Sequence, residues 1–454
     1  MPDAIEALAD HCVGTGHDDL PAAALDAAKV CILDTLGVGL AGSTGPYVPE
    51  LLRSYAAGGA ASRVLAQSQR LPPAGAALLN AYQIHNSEFD CVHEEAVIHT
   101  VTVLLAAALA DADRRGGVSG RTLLRSVILG VDIASSLGVA SSSGLRFFRP
   151  GTAGAFGAVA TLGVVRGYDR STLLRAFALV YAQLCGTMQA HTEGSPLLAL
   201  QIGFNARNAI LACDLAEQGL PGLEGVLEGP FGYFGMIEAE GDVRAVLPEL
   251  GRTWRICEVA LKPFPSGRAT HGLVDAVQIL RQRHDIKPEA VERIVGRVPS
   301  LTHHLVGRPV HGDMEINYAR LNGQYACAVM LRDGFIAIDD YTPDAVRDPS
   351  RLALAERVRI DIDDNPDPNA LSPVEVDIHL MDGQVLSERI VTVYGNPARP
   401  MTREARLAKF RSCWGASACG LPAEGADAVI AMVEDLETVS DLRLLLDRVT
   451  GQAE

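Results

Sequence analysis

A chain of 454 residues, 48% hydrophobic and 21% charged, is long enough for two or three compact cores and too apolar to be disordered. Its formal net charge of −16, with no lysine- or arginine-rich stretch that reverses the sign locally, excludes the basic footprint that a phosphate backbone needs and argues against nucleic acid as a partner. The nine cysteines are scattered, odd in number and free of any CxxC pair, which fits a reducing compartment. The start "MPDAIEALADHCVG" lacks a basic-then-apolar signal pattern, and apolar runs such as "VTVLLAAALADA" read as too short to span a bilayer. A cytoplasmic protein without a membrane partner is expected.

From the start to about residue 250 the apolar residues recur at three and four. "LPAAALDAAKVCILDTLGVGLAGS", "AGAALLNAYQIHNS", "VTVLLAAALADADRR", "GRTLLRSVILGVDIASSLGVA", "STLLRAFALVYAQLCGTM" and "NARNAILACDLAEQG" each predict a helix, several of them apolar nearly all round. After "VALKPFPSGRATHG" the period changes to two: "VERIVGRV", "RVRIDID" and "VEVDIHLMDGQVLSERIVTVYG" predict strands, the last with Asp382-Gly383 as a hairpin turn. Helices "GLVDAVQILRQRH" and "NGQYACAVMLRDG" interleave with them. The tail, "MTREARLAKFRSCW" and "EGADAVIAMVEDLETVSDLRLLLDRV", is helical again. The expected fold is mainly α: a large all-helical bundle domain of residues 1–258 completed by 396–454, and a smaller α+β domain of residues 259–395.

Three stretches carry chemistry. The first is "HNSEFDCVHEEAVIHT", residues 85–100. His93 and His99 are six apart, not the four that would put two imidazoles on one helical face, and position 97 is Val, so no metal site is expected. Glu88, Asp90 and His99 suit proton transfer beside a carboxylate at the N-terminus of the helix that follows, although Asp90 and Glu94 would equally serve as caps. The second is "KPFPSGRATHG", residues 262–272, a stiff segment offering Lys262, Ser266, Arg268 and His271 for a polycarboxylate, or else an ordinary interdomain turn. The third is the glycine-rich pair "RPGTAGAFGAVATLGVV" and "EGVLEGPFGYFG". Neither matches a nucleotide-binding loop, and both suit close helix packing or tight turns. No G-x-S-x-G elbow is present.

Taken in order, "ILDTLGVGLAGS", "HNSEFDCVHEEAVIHT", "FRPGTAGAFGAVAT", "EGSPLLALQIGFNARNA", "GLPGLEGVLEGPFGYF", "KPFPSGRATHG", "NGQYACAVMLRDG" and "YGNPARPMTREARLAKF" resemble the MmgE/PrpD family of dehydratases, decarboxylases and epimerases of small carboxylic acids. The resemblance spans nearly the whole chain. It implies a homodimer, an interdomain active site beneath an α+β lid, and no metal or organic cofactor. His85, Glu88, Phe89, Asp90 and Cys91 stand where the family has H-x-x-D-F-D-D, and His99, Lys262, His271 and Tyr325 match further functional positions. By that resemblance Asp90, His99, Lys262, Tyr325 and His271 handle protons and charge, His93 and Glu94-Glu95 form the loop's solvated side, and Glu88, Ser266, Arg268 and Arg149 bind substrate. Three positions depart from the pattern: Phe148 replaces a histidine, Leu198 with Gln201 replaces a lysine and a histidine, and Gly267 replaces a histidine found in the decarboxylase. The expected activity is a cofactor-independent lyase, in first place a dehydratase of a hydroxylated di- or tricarboxylic acid. A decarboxylase, an epimerase and a non-enzymatic binding protein are the alternatives.

Overall fold

The computed structural model describes residues 2–451. The helices of the first half form where the three-and-four periodicity placed them: Ala22–Gly42, Pro73–His85, Thr100–Arg115, Gly120–Val139 and Leu197–Glu217. The glycine-rich segment is also a helix, Arg149–Arg166, packed against Gly120–Val139 and Thr100–Arg115. Its glycines work by absence. A Cβ at Gly130 would lie 2.0 Å from Thr161 Oγ1, and one at Gly157 would lie 2.7 Å from the Gly130 carbonyl, so the two backbones touch directly.

Gly120–Val139 corrects one expectation, since it is long and apolar enough to cross a membrane. Of its most apolar eighteen-residue stretch, 83% is instead buried in the protein. A second correction concerns "STLLRAFALVYAQLCGTM", where the helix Arg170–Tyr181 stops early and residues 182–188 turn. The tail folds back: Phe410, on the helix Arg403–Gly415, fills the space above Gly37 of Ala22–Gly42. Its core joins that of the first half, from Ala4 to Leu261 and from Met401 to Val449.

A separate core runs from Phe264 to Val393. It lies against a four-stranded sheet in which Val291–Val298 pairs parallel with Val358–Ile362 and antiparallel with Val374–Leu380. Val374–Leu380 in turn forms the hairpin with Val385–Ile390, and Gly383 takes φ +88° in its turn. The helical unit also carries two short strand pairings, so it is not purely helical. One of them, Val92–His93 against Val259–Ala260, ties the two polar loops together.

Replacing Gly130 with Val is expected to lower unfolding stability by about 1–3 kcal/mol through overpacking. Gly14→Ala, where an added Cβ meets nothing within 4 Å, is expected to stay within about 0.5 kcal/mol. Urea unfolding midpoints of both variants check this.

Candidate active site

The loop after Pro73–His85 folds back on itself. His93 exchanges two backbone hydrogen bonds with Ile98, and Glu88 and Val97 adopt left-handed φ of +52° and +54°. His99 sits at the N-cap of Thr100–Arg115. Opposite Val92 in the short strand pair lies Ala260, two residues before Lys262, and this register brings Lys262 against residues 88–90.

Lys262 is fully buried and donates from Nζ to the Glu88 backbone carbonyl and to Glu88 Oε2, both at 3.0 Å, and it stands 4.0 Å from Asp90 Oδ1. Asp90 is fully buried too. It accepts from His85 Nδ1 at 3.1 Å and from the Thr102 hydroxyl. His99 Nδ1 lies 3.0 Å from Asp90 Oδ1, close but poorly aligned for a hydrogen bond, and the two imidazole rings meet edge to face at 4.6 Å.

Burial opposes ionisation of Asp90, yet the imidazoles of His99 and His85 hold its carboxyl well below the ordinary range. The same contest at Glu88, with Lys262 as the strongest favourable charge, ends at about 2. The two imidazoles diverge. Burial lowers His85, but Asp90 and Glu88 outweigh it and raise its proton affinity; at His99 burial, aided by Lys262, prevails over Asp90 and lowers it. One carboxylate thus holds one imidazole biased toward the acid form and one biased toward the base form.

His85, Asp90 and His99 are also the one cluster among the described residues whose ligand atoms, all within 4.8 Å, would suit a metal ion. The Nδ1 atoms of both imidazoles are turned onto the Asp90 carboxylate, and the Lys262 ammonium stands beside it, an arrangement of ion pairs that leaves little room for a second cation.

A cavity of about 60 Å³ opens at this cluster, lined by Glu88, His99, His191 and Arg268 among largely apolar neighbours. The remaining expected site residues are buried and engaged elsewhere. Arg268 donates to Glu94 Oε1 at 2.6 Å and to the Tyr394 carbonyl at 2.8 Å, so it offers the cavity chiefly its hydrocarbon stem. Arg149 is spent on Glu238 and on the Ala96 and Ser143 carbonyls. Tyr325 donates to the carbonyl of Asp340 or Ala345 inside the smaller core. Ser266 and Thr270 bond each other through their hydroxyls at 2.8 Å. His271 donates from Nε2 to the Ser266 carbonyl, and burial beside Arg268 and Lys262 keeps it far below the usual imidazole range. His93, expected at the solvated side, is 1% exposed and donates to Glu258 Oε2 at 2.9 Å.

Four groups were missed as site residues. His85 was visible only as part of the family match. His191 lines the cavity, and burial with the neighbouring Arg308 pushes it down to about 3. Arg308 donates to the His191 carbonyl while its Nε and Nη1 have no partner, and Arg320 donates to the Asn86 carbonyl while its Nε has none. Each of these arginines is an isolated cation in sequence, so no pattern marks it.

Family models match most of the chain: the MmgE/PrpD N-terminal domain over residues 6–245 and the MmgE/PrpD C-terminal domain over residues 264–438. A cis-aconitate decarboxylase of Mus musculus is 30% identical, covering 94% of this chain and 90% of its own length. That of Homo sapiens is 29% identical over 97% and 93%, and that of Aspergillus terreus 26% over 95% and 91%.

Lys262→Met strands the buried Glu88 and Asp90 carboxylates and is expected to cost about 3–5 kcal/mol of unfolding stability. Adding Glu88→Gln should restore part of that loss in a double-variant denaturation cycle. Stability should also decline with acid through His191. Its folded value of about 3 lies below the ordinary 6.5, so between those limits the unfolded chain binds a proton that the folded chain does not. Stability then falls as pH drops below about 6.5, and His191→Asn should flatten that slope in melting curves recorded from pH 7 to 5.

Proposed function

The chain belongs to the MmgE/PrpD family, and we propose that it is a cofactor-independent lyase that decarboxylates an unsaturated polycarboxylic acid of the cis-aconitate type. The observation that carries this reading is Asp90, held as an anion between His85 and His99 with the Lys262 ammonium 4.0 Å away. Decarboxylation is favoured over dehydration because the relatives described above bear the name cis-aconitate decarboxylase over nearly their full length.

In such a reaction the bond to the departing carboxylate breaks and its electron pair becomes the new carbon–carbon double bond. The original double bond supplies the pair that takes up a proton at the far carbon, and neutral carbon dioxide leaves. Charge builds up on the allylic system and its remaining carboxylates, beside Lys262. Because His99 turns Nδ1 to Asp90, Nε2 is the ring nitrogen left to carry the proton. Its surroundings bias His99 toward the neutral form, and a bound polyanion would draw a proton onto it. His85, already biased toward the acid form, supports the same carboxylate from the other side.

Dehydration is the second reading. It needs one base and one acid on the same substrate; of the two oppositely biased imidazoles His99 lines the cavity, and His85 would act through Asp90.

Incubation with cis-aconitate is expected to release carbon dioxide, and Asp90→Asn and His99→Gln should each lower the rate by about 10²–10⁴-fold while the circular dichroism spectrum is unchanged. An unsaturated product formed from a citrate-type acid, without carbon dioxide, would replace this reading with the dehydratase.

A further inference from the structure

A second cavity, of about 70 Å³, lies between the helices Ala22–Gly42 and Arg403–Gly415, closed at one side by the end of Gly425–Glu434, and it shares no lining residue with the cavity at Asp90. Spacings of three and four turn Arg403, Arg406 and Phe410 toward it from one helix, and Val30, Leu33 and Asp34 line it from the other. A wider groove of about 550 Å³ adjoins it, and Arg406 lines both. Two walls continue into the catalytic residues. Leu261 directly precedes Lys262, and Lys409 joins Asp34 to the Phe89 carbonyl.

Two charged groups of this lining are incompletely bonded. Asp34 is only 8% exposed; its Oδ1 takes the Lys409 ammonium at 2.7 Å, while the buried Oδ2 has no hydrogen-bond partner. The buried Nε of Arg406 has none either. Around them Lys29 is matched by Glu437, Arg403 by Glu434 and Lys409 by Asp34, so among the described residues Arg406 is the cation left over. Burial raises the Asp34 carboxyl against the pull of Lys409, and a donor reaching Oδ2 would offset that cost. A ligand that satisfies both groups carries an anion for Arg406 and a hydrogen-bond donor for Asp34. Charge selects the donor: an ammonium would enter beside Lys29, Arg403, Arg406 and Lys409, whereas a hydroxyl brings no charge. The exposed Asp26 lines only the outer groove. We infer that this cavity is a second binding site, for a small hydroxycarboxylic acid whose carboxylate meets Arg406 and whose hydroxyl meets Asp34. The inference is independent of the reaction proposed for the first cavity.

The test uses the full-length protein with lactate, propionate and propane-1,2-diol, and binding is read by calorimetry. Lactate is expected to bind about tenfold more tightly than propionate, which lacks the hydroxyl, while the diol, which lacks the carboxylate, should not bind. Arg406→Gln should remove lactate binding and Arg406→Lys should keep part of it, each with an unchanged circular dichroism spectrum. His99→Gln, in the first cavity, should leave lactate binding intact. In the unaltered protein lactate should also slow amide hydrogen exchange in residues 403–410, a readout that stands even where a variant misfolds. Equal binding of lactate and propionate overturns the two-point site. Lactate binding that survives Arg406→Gln, or that is lost with His99→Gln, puts the acid elsewhere and overturns it too. So does a failure of lactate to bind or to slow exchange in residues 403–410.

Discussion

The contact on which the site depends is the buried meeting of Lys262 with Glu88 and Asp90. It joins residues 174 positions apart and removes an ammonium and two carboxylates from water together. Such a cluster persists only if nearly every charge is matched. Here Lys262 and His85 offset the two acids, so the cluster by itself is close to neutral. A polycarboxylate of the proposed kind would therefore meet groups already satisfied by one another. The capacity that remains lies in His99, which has room for a proton, and in the unpartnered N–H groups of Arg308 and Arg320.

The fold was legible wherever periodicity was strong. The long helices Ala22–Gly42, Pro73–His85, Thr100–Arg115, Gly120–Val139 and Leu197–Glu217 and all four strands of the larger sheet follow directly from spacings of three-and-four or two. Two features were not legible. Arg149–Arg166, eighteen residues rich in glycine and alanine, offers no clear spacing until Gly130 and Gly157 show that the smallness serves a backbone contact. The strand pair Val92–His93 with Val259–Ala260 is two residues long on each side, too short for any alternation to register.

At the site, the residue types were legible and their partners were not. Asp90, His99 and Lys262 converge, as the family match implied. Arg149 and Arg268 looked like free cations because Glu238 and Glu94, which neutralise them, are distant in sequence. His93 looked solvated for the same reason, its partner Glu258 lying 165 residues away. A charged side chain in a sequence is an unpaired quantity, and only the fold assigns its counter-charge. The cations that kept free N–H groups, Arg308 and Arg320, carried no local signature at all.

The turn that follows Pro73–His85 shows why the site is rigid enough to hold Glu88 at positive φ. Three buried cations from three separate parts of the chain donate to its backbone: Arg320 to the Asn86 carbonyl, Lys262 to the Glu88 carbonyl and Lys409 to the Phe89 carbonyl at 2.9 Å. The chain past the helix end has no regular partner for these carbonyls, and each donor completes a hydrogen bond there. Lys409 is itself paired with Asp34 at 2.7 Å and stands over the Phe89 ring, which binds the C-terminal tail into the same arrangement. The smaller unit supplies Arg320, the interdomain segment Lys262 and the tail Lys409. The observed geometry of this loop therefore draws on all three regions at once, through the carbonyls of residues 86–89.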